Sequence, residues 1–418
     1  MNLRKDEKQK VRKEGHALAK ERIGIIGGTF DPIHAGHIAM ARAAMQEAGL
    51  DRVLVLPTGN PPHKHDISLA VDRWRMVCAA TAQEPGLEPC SVELEREGVI
   101  YTVDTLAALH ETYPKADLFY IIGADTLFEL QNWKDYTRVL GMCTFLVCPR
   151  KWDRKPAEIV EERRRLTALG GSFQMVNMDI VDVSSTQVRK ALVEGKPMAD
   201  LPVVCREYAA LRGLYGMPAR LRTPEKWLTQ LFQDLSAKRF AHTLAVAYTA
   251  RHLAKIHGVD LRQAEEAAVL HDCAKCLPLK EMQRICIEHQ LTDDQAVLVS
   301  GALMHSIAGA YLAVTVYGEE DPDVLRAIAC HTTGKVGMTP LDMVVYLADK
   351  IEPTRESYPT LEKVRVLAQL SLERAMLCSM EGTKDYVRKG GKPMHPQTLE
   401  TIAWLKTIKK NGTNESHP

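Results

Sequence analysis

No run in this sequence is apolar for long enough to cross a membrane, since none approaches the 18 or more residues that a spanning helix needs. Charge of one sign is also missing. The 54 basic and 53 acidic side chains nearly cancel, so overall charge marks no nucleic-acid binder, and an anionic substrate must be held by a local site. The first 22 residues lack the apolar stretch of a secretory signal. Dense in Lys, Arg and Glu, residues 1–21 are expected to form a charged extension. The 10 cysteines show no regular spacing, which argues against a disulfide framework and for a reducing cytoplasm. One CxxC occurs, Cys273 and Cys276, and without a second pair it reads as two small helix residues before it reads as a zinc site. Internal repeats and long low-complexity tracts are absent.

What is present is ordinary globular composition, 45% apolar and 26% charged over 418 residues, enough for two or three domains. From residue 22 to about 216, short apolar runs at 23–26, 53–56, 118–122 and 144–147 read as buried parallel strands. Helical patterns at 38–48 and 73–82 lie between them. Such alternation predicts an α/β doubly wound sheet, with ligands outside the carboxyl ends of the strands. Residues 217–224, with two prolines and two arginines, read as a linker. From 225 to 408 apolar residues recur at three and four, as in Phe240, Leu244, Ala247, Ala250 and Leu253, or Leu341, Val344, Val345 and Ala348. This half is expected to be all-helical, with a loose polar tail over 409–418.

The first strand runs into GGTFDPIHAGH, residues 27–37. Gly27, Gly28, Thr29 and Phe30 open a loop whose glycines let the backbone approach a phosphate, before a helix N-terminus that favours anions. His34 and His37 are three apart and share a helix face, where imidazoles can stabilise charge developing on a phosphoryl oxygen. Ser184, Ser185, Thr186 and Arg189 form a second element, a capped helix start with a basic residue one turn on. Taken together, the two elements resemble the nucleotidyltransferase superfamily. Three further segments narrow the likeness: PPHK at 61–64, ELEREGVIYTVDTL at 93–106 and IIGADTLFELQNW at 121–133. These resemble nicotinate-nucleotide adenylyltransferases. The resemblance implies that ATP and nicotinate mononucleotide are the substrates, with Mg²⁺ accompanying ATP. It places Gly123 and Asp125 at the adenosine ribose, Lys64 at an ATP phosphate, and Thr102 and Trp133 at the nicotinate. Arg150 falls on a basic position of the family assigned here to the nicotinate, although Lys151-Trp152 follows it where Pro-Gly is usual. Transferases for pantetheine phosphate or nicotinamide mononucleotide are the rivals, and Trp133 with the YTVDT segment speaks against both.

The second half carries His242, His271-Asp272, His305, His331 and Asp349 on separate expected helices. Imidazole and carboxylate suit first-row metals, and helices of one bundle can each project a ligand inward. With RFAHTLAVA, VLHDCAK, HTTG and LADKIEP around them, the set resembles the HD phosphohydrolases, in the bacterial branch that splits diadenosine tetraphosphate into two ADP. That resemblance implies two transition metals, iron first and manganese second, held by His242, His271, Asp272, His305, His331 and Asp349, with Asp272 bridging. Lys275 is expected to meet a substrate phosphate, and a dinucleoside polyphosphate is the expected substrate. Another HD nucleotide hydrolase, or a regulatory nucleotide-binding module, are the alternatives. Neither half calls for nucleic acid or a membrane, and a homo-oligomer stays open.

Overall fold

The computed structural model describes residues 20–59, 67–96, 98–151, 155–391 and 393–412. The chain forms two compact units, divided after Leu201.

In the first unit, β1 (Arg22–Gly28), β2 (Arg52–Pro57), β4 (Asp117–Gly123) and β5 (Thr144–Cys148) are the anticipated apolar runs, buried as strands of a covered parallel sheet are. Two more strands, β3 (Leu87–Pro89) and β6 (Ser172–Met175), were not legible. They are short, mixed in polarity and placed at the two edges of the sheet, where little burial is demanded of them. All neighbours are parallel, in the order β3-β2-β1-β4-β5-β6, a Rossmann-like α/β fold. The chain moves outward from β1 to β3 and then returns to the far side of β1 with β4. The β1/β4 junction is therefore the switch point at which such sheets hold ligands. Pairing across it runs from Arg22↔Asp117 to Ile25↔Tyr120, and the strands part before Gly27 and Gly123.

The second unit is helical among its described residues, from Val203–Arg212 to Pro396–Gly412. Helix Ala237–His257 buries Phe240, Leu244, Ala247, Ala250 and Leu253, the stripe its sequence predicts. The boundary differs from the one expected near residue 216. Helix Val203–Arg212 packs on Ala237–His257, with Tyr208 and Leu211 fully buried and the Tyr208 ring 6.2 Å from that of Phe240. Nor does 217–224 run as a free linker. Leu221 is buried, Arg220 pairs with Glu207 and Glu265, and Arg222 pairs with Glu266 and Glu319. The two arginines of the segment that reads as a linker are here the partners of buried carboxylates on other stretches of the chain. The final helix continues to Gly412, past the expected start of the tail at Lys409. Residues 1–19 of the charged extension and 413–418 of the tail lie outside the described residues. No described helix is long and apolar enough to cross a membrane.

Candidate active sites

At the β1/β4 junction a cavity of about 650 Å³ opens. Glycines make the approach possible: a Cβ on Gly27 would lie 2.4 Å from the Tyr120 hydroxyl, and one on Gly123 would lie 2.3 Å from Asp125 Oδ1. His34 is the N-cap of helix Ala35–Glu47, and its ring stacks on that of His37 with centroids 3.8 Å apart. The His34 backbone N–H donates to His37 Nδ1 at 3.3 Å. In a neutral ring that leaves Nε2–H as the donor of His37, and His37 lines the cavity. Burial, then the charge of Arg150, lowers His34 to a pKa of about 4, so it is a neutral imidazole near pH 7.

Across the cavity, Ser184 caps helix Ser185–Val193, its Oγ accepting from the Gln187 N–H. Ser185 Oγ donates to the Pro32 carbonyl at 3.0 Å, and Arg189 donates to the Asp31 carbonyl at 2.7 Å and to Thr186 Oγ1 at 3.3 Å. The second element thus clasps the loop of the first, and Asp31, Ser184, Ser185, Thr186 and Arg189 line the cavity. Trp133 lines it too, with its ring edge-on to Tyr120 at 5.8 Å. Thr102 begins helix Thr102–Thr112, with its side chain beside the Tyr120 hydroxyl. Arg150 stands against Gly123 and Asp125, with Nη1 3.7 Å from Asp125 Oδ2. It borders the residues assigned to the ribose and lines the same cavity as Trp133. The PPHK segment with Lys64 lies outside the described residues.

Arg73 was missed as a site residue. It is fully buried and donates to four backbone carbonyls, of Thr29 at 2.9 Å, Thr58 at 2.7 Å, Gly59 at 2.8 Å and Ser68 at 3.1 Å. It ties the loop after β1 to the loop after β2. A weak signal does stand in the sequence, a run of charge (Asp72, Arg73, Arg75) that turns out buried on helix Ala70–Thr81.

In the second unit, five helices deliver side chains to one buried point. His242 comes from Ala237–His257 and His305 from Gly301–Thr315, while Asp349 comes from Pro340–Ile351. His271 and His331 sit at the C-caps of Leu261–Leu270 and Pro322–Cys330. The last two share a geometry. His271 Nδ1 donates to the Ala268 carbonyl at 2.6 Å and His331 Nδ1 to the Ile328 carbonyl at 2.7 Å, each three residues back. That fixes the tautomer and turns the Nε2 lone pair inward, as in metal-ligating histidines. His271 Nε2 is buried with no hydrogen-bond partner among the described residues. His242 Nδ1 donates to Glu352 Oε1 at 3.1 Å, leaving Nε2 facing Asp349 Oδ1 at 3.0 Å.

Asp272 stands between two histidine pairs. Its Oδ2 is 3.9 Å from His242 Nε2 and 3.7 Å from His271 Nε2. Its Oδ1 is 3.1 Å from His305 Nε2 and 3.8 Å from His331 Nε2. Two trios, His242–His271–Asp349 and His271–Asp272–His331, each bring their ligand atoms within 4.8 Å of one another. Burial opposes ionisation of Asp272, but His271, His305 and Lys275 outweigh it and hold the carboxyl well below its usual range. Asp349 is held low in the same way, by Lys350, His242 and Arg355 against burial. Burial lowers His271 and His331. Burial acts on His242 too, but its hydrogen bonds to Asp349 and Glu352 outweigh it and raise the pKa instead. Anionic carboxylates and the inward lone pairs of His271 and His331 are what metal binding requires, so the residues fit a metal centre. Lys275 Nζ reaches His305 Nε2 at 3.0 Å, and Arg239 donates to Asp272 Oδ2 at 2.9 Å. Glu352 and Arg239 were not assigned roles from sequence, although each stands in a quoted or adjacent segment. His252, His257 and His289 lie elsewhere, on Gln369, the Ala368 carbonyl and Tyr311. Cys273 is buried with its thiol on the Gly309 carbonyl, and Cys276 is exposed.

Residues 25–191 match the cytidylyltransferase-like family and residues 239–354 match the HD domain. The chain is 39% identical over 199 residues to the "Probable nicotinate-nucleotide adenylyltransferase" of Desulfitobacterium hafniense strain Y51, covering 47% of this chain and 96% of that protein. The chain belongs to the nicotinate-nucleotide adenylyltransferase family. Membership rests on its first half, and the second half is an HD domain. Across both halves it is 27% identical over 377 residues to the "Probable nicotinate-nucleotide adenylyltransferase/Ap4A hydrolase" of Mycoplasma genitalium, covering 88% of this chain and 99% of that protein. It is also similar to the crystal structure of a "predicted HD superfamily hydrolase involved in NAD metabolism" from Clostridium acetobutylicum. That likeness is 35% identical with a TM-score of 0.44, over 45% of this chain and 99% of the other.

Proposed function

We propose that the first unit transfers the adenylyl group of ATP to nicotinate mononucleotide, and that the second hydrolyses diadenosine tetraphosphate to two ADP. The observation that carries the first activity is the stacked His34–His37 pair at a helix N-terminus, opening on the cavity that Trp133 and Arg189 also line. The acceptor phosphate oxygen attacks the α-phosphorus in line, a P–O bond forms, and the bond to pyrophosphate breaks. The chain forms no covalent intermediate; positioning and charge stabilisation do the work. His37 donates to the oxygens that gain charge, and Arg189 draws the leaving phosphates. Asp125 Oδ1, buried without a partner among the described residues, is an acceptor suited to a ribose hydroxyl. Mg²⁺ enters with ATP, held by phosphates and water. Trp133 gives the pyridine ring an aromatic face.

For the second activity, the supporting observation is the Asp272 carboxylate between two histidine pairs. His242, His271 and Asp349 would hold one transition metal, His305 and His331 the other, with Asp272 shared between them. Bound there, such ions supply Lewis acidity and a nucleophile at neutral pH. Lys275 and Arg239 border the same point and would orient phosphate oxygens. Water adds to one inner phosphorus and the central P–O–P bond breaks, so each product keeps two phosphates. Both halves handling adenine nucleotides in one chain, together with the cysteine pattern, is in keeping with a cytoplasmic enzyme.

The test is a paired assay on full-length protein purified anaerobically without chelator. We expect nicotinate mononucleotide to exceed nicotinamide mononucleotide in kcat/KM by well over tenfold, and diadenosine tetraphosphate to yield ADP alone with two metals per chain. Comparable use of the two acceptors would refute the first reading. AMP with ATP as products, or full hydrolysis without metal, would refute the second.

A further inference from the structure

Tyr120 sits where β1 and β4 part, and the transfer chemistry proposed above assigns it nothing. Its ring is buried, yet it lines the cavity. Three contacts meet on it. The hydroxyl lies against Gly27, so closely that a Cβ there would come within 2.4 Å of it, with the next ring atom at 3.4 Å. The same hydroxyl lies beside the side chain of Thr102, the first residue of helix Thr102–Thr112. The ring supports Trp133 edge-on at 5.8 Å. One side chain thus spans from the phosphate loop to both residues that would meet the pyridine ring.

We propose that Tyr120 is the positioning residue for the acceptor, setting the distance between its aromatic end at Thr102 and Trp133 and its reacting phosphate beside Gly27. The inference rests on the reading of the first unit as a nicotinate mononucleotide adenylyltransferase. Fixing both ends of the acceptor matters because in-line transfer tolerates little misplacement of the attacking oxygen. The hydroxyl stands beside Thr102 and fills the space against Gly27, while the ring carries Trp133. The two parts of the side chain can therefore be tested apart.

The experiment uses the full chain with Tyr120→Phe, Gly27→Ala and the double variant. In Tyr120→Phe the ring and its Trp133 contact remain, and only the hydroxyl, with its polar contact to Thr102, is lost. We expect KM for nicotinate mononucleotide to rise about fivefold, in the range of one neutral polar contact, with KM for ATP and kcat within twofold. Titration of tryptophan fluorescence with nicotinate mononucleotide alone should show the same weakening. Gly27→Ala drives a methyl into the hydroxyl, so transfer should fall at least tenfold. The double variant, where the nearest ring atom is 3.4 Å away, should recover several-fold over Gly27→Ala. An acceptor KM within twofold of wild type in Tyr120→Phe, an equal rise for both substrates, or a double variant no better than Gly27→Ala would overturn the positioning role. Wild-type protein that adenylylates no pyridine mononucleotide would instead sink the reading of the site, and the acceptor role with it.

Discussion

His34 and His37 are three residues apart and chemically alike, but their surroundings give them different work. Burial and Arg150 keep His34 neutral, with a pKa of about 4. His37 accepts from the His34 backbone and so presents its other nitrogen as a donor. His37→Ala should lower kcat for adenylyl transfer by about 10²–10³-fold, the range for one charge-stabilising donor, while hydrolysis by the second unit persists; steady-state assays of both activities check this. The His34 shift also has a sign. Between the unfolded value of 6.5 and the folded value of about 4, the unfolded chain binds more protons than the folded one, so stability rises with pH across that window. Thermal melts of His34→Gln should therefore lose less stability than wild type as pH falls from 6.5 to 4. In the second unit, Glu352 accepts from His242 and sets its tautomer. Glu352→Gln should weaken metal binding by about 10–100-fold without affecting adenylyl transfer, as titration of metal-free protein with Mn²⁺ would show.

Elements, in turn, place these residues. The first site forms because two short sequence-local devices, a strand-loop-helix and a capped helix start, meet at the junction where β1 and β4 separate. The second forms because histidines at two helix ends use their own last-turn carbonyls as partners, which leaves both Nε2 atoms free to face the shared site. Within the second unit, Arg220 pairs with Glu207 on Val203–Arg212 and with Glu265 on Leu261–Leu270, and Glu265 pairs in turn with Arg251 on Ala237–His257. Glu207 and Glu265 are buried. Arg220→Ala would leave Glu207 buried without its ion-pair partner, at a cost of about 3–5 kcal/mol. Denaturant unfolding of the second unit should register that loss, and the first unit's transition should not move.

At the scale of the whole molecule, the two units should be separable after Leu201 rather than at the prolines. Chains 1–201 and 202–418 should each fold and keep their own activity, because each retains its own core. A chain beginning at 217 loses helix Val203–Arg212, bares the surface that Tyr208 and Leu211 cover, and strands Arg220 from Glu207. It should be insoluble or lack cooperative melting, and circular dichroism of the purified pieces decides between the two boundaries. The strand–helix alternation, the helical second half, the glycine-rich loop after β1 and the histidine–aspartate set were legible because each is written in local periodicity or in a contiguous motif. Other features were decided only by the tertiary structure. The short edge strands, the burial of Arg73, the Glu352–His242 pair, the place of Arg150 and the meeting of Tyr120 with Gly27, Thr102 and Trp133 all join residues whose sequence separation carries no signal. Local pattern fixes which face of an element is apolar, whereas the partner of a buried polar group is chosen by whichever distant segment packs against it.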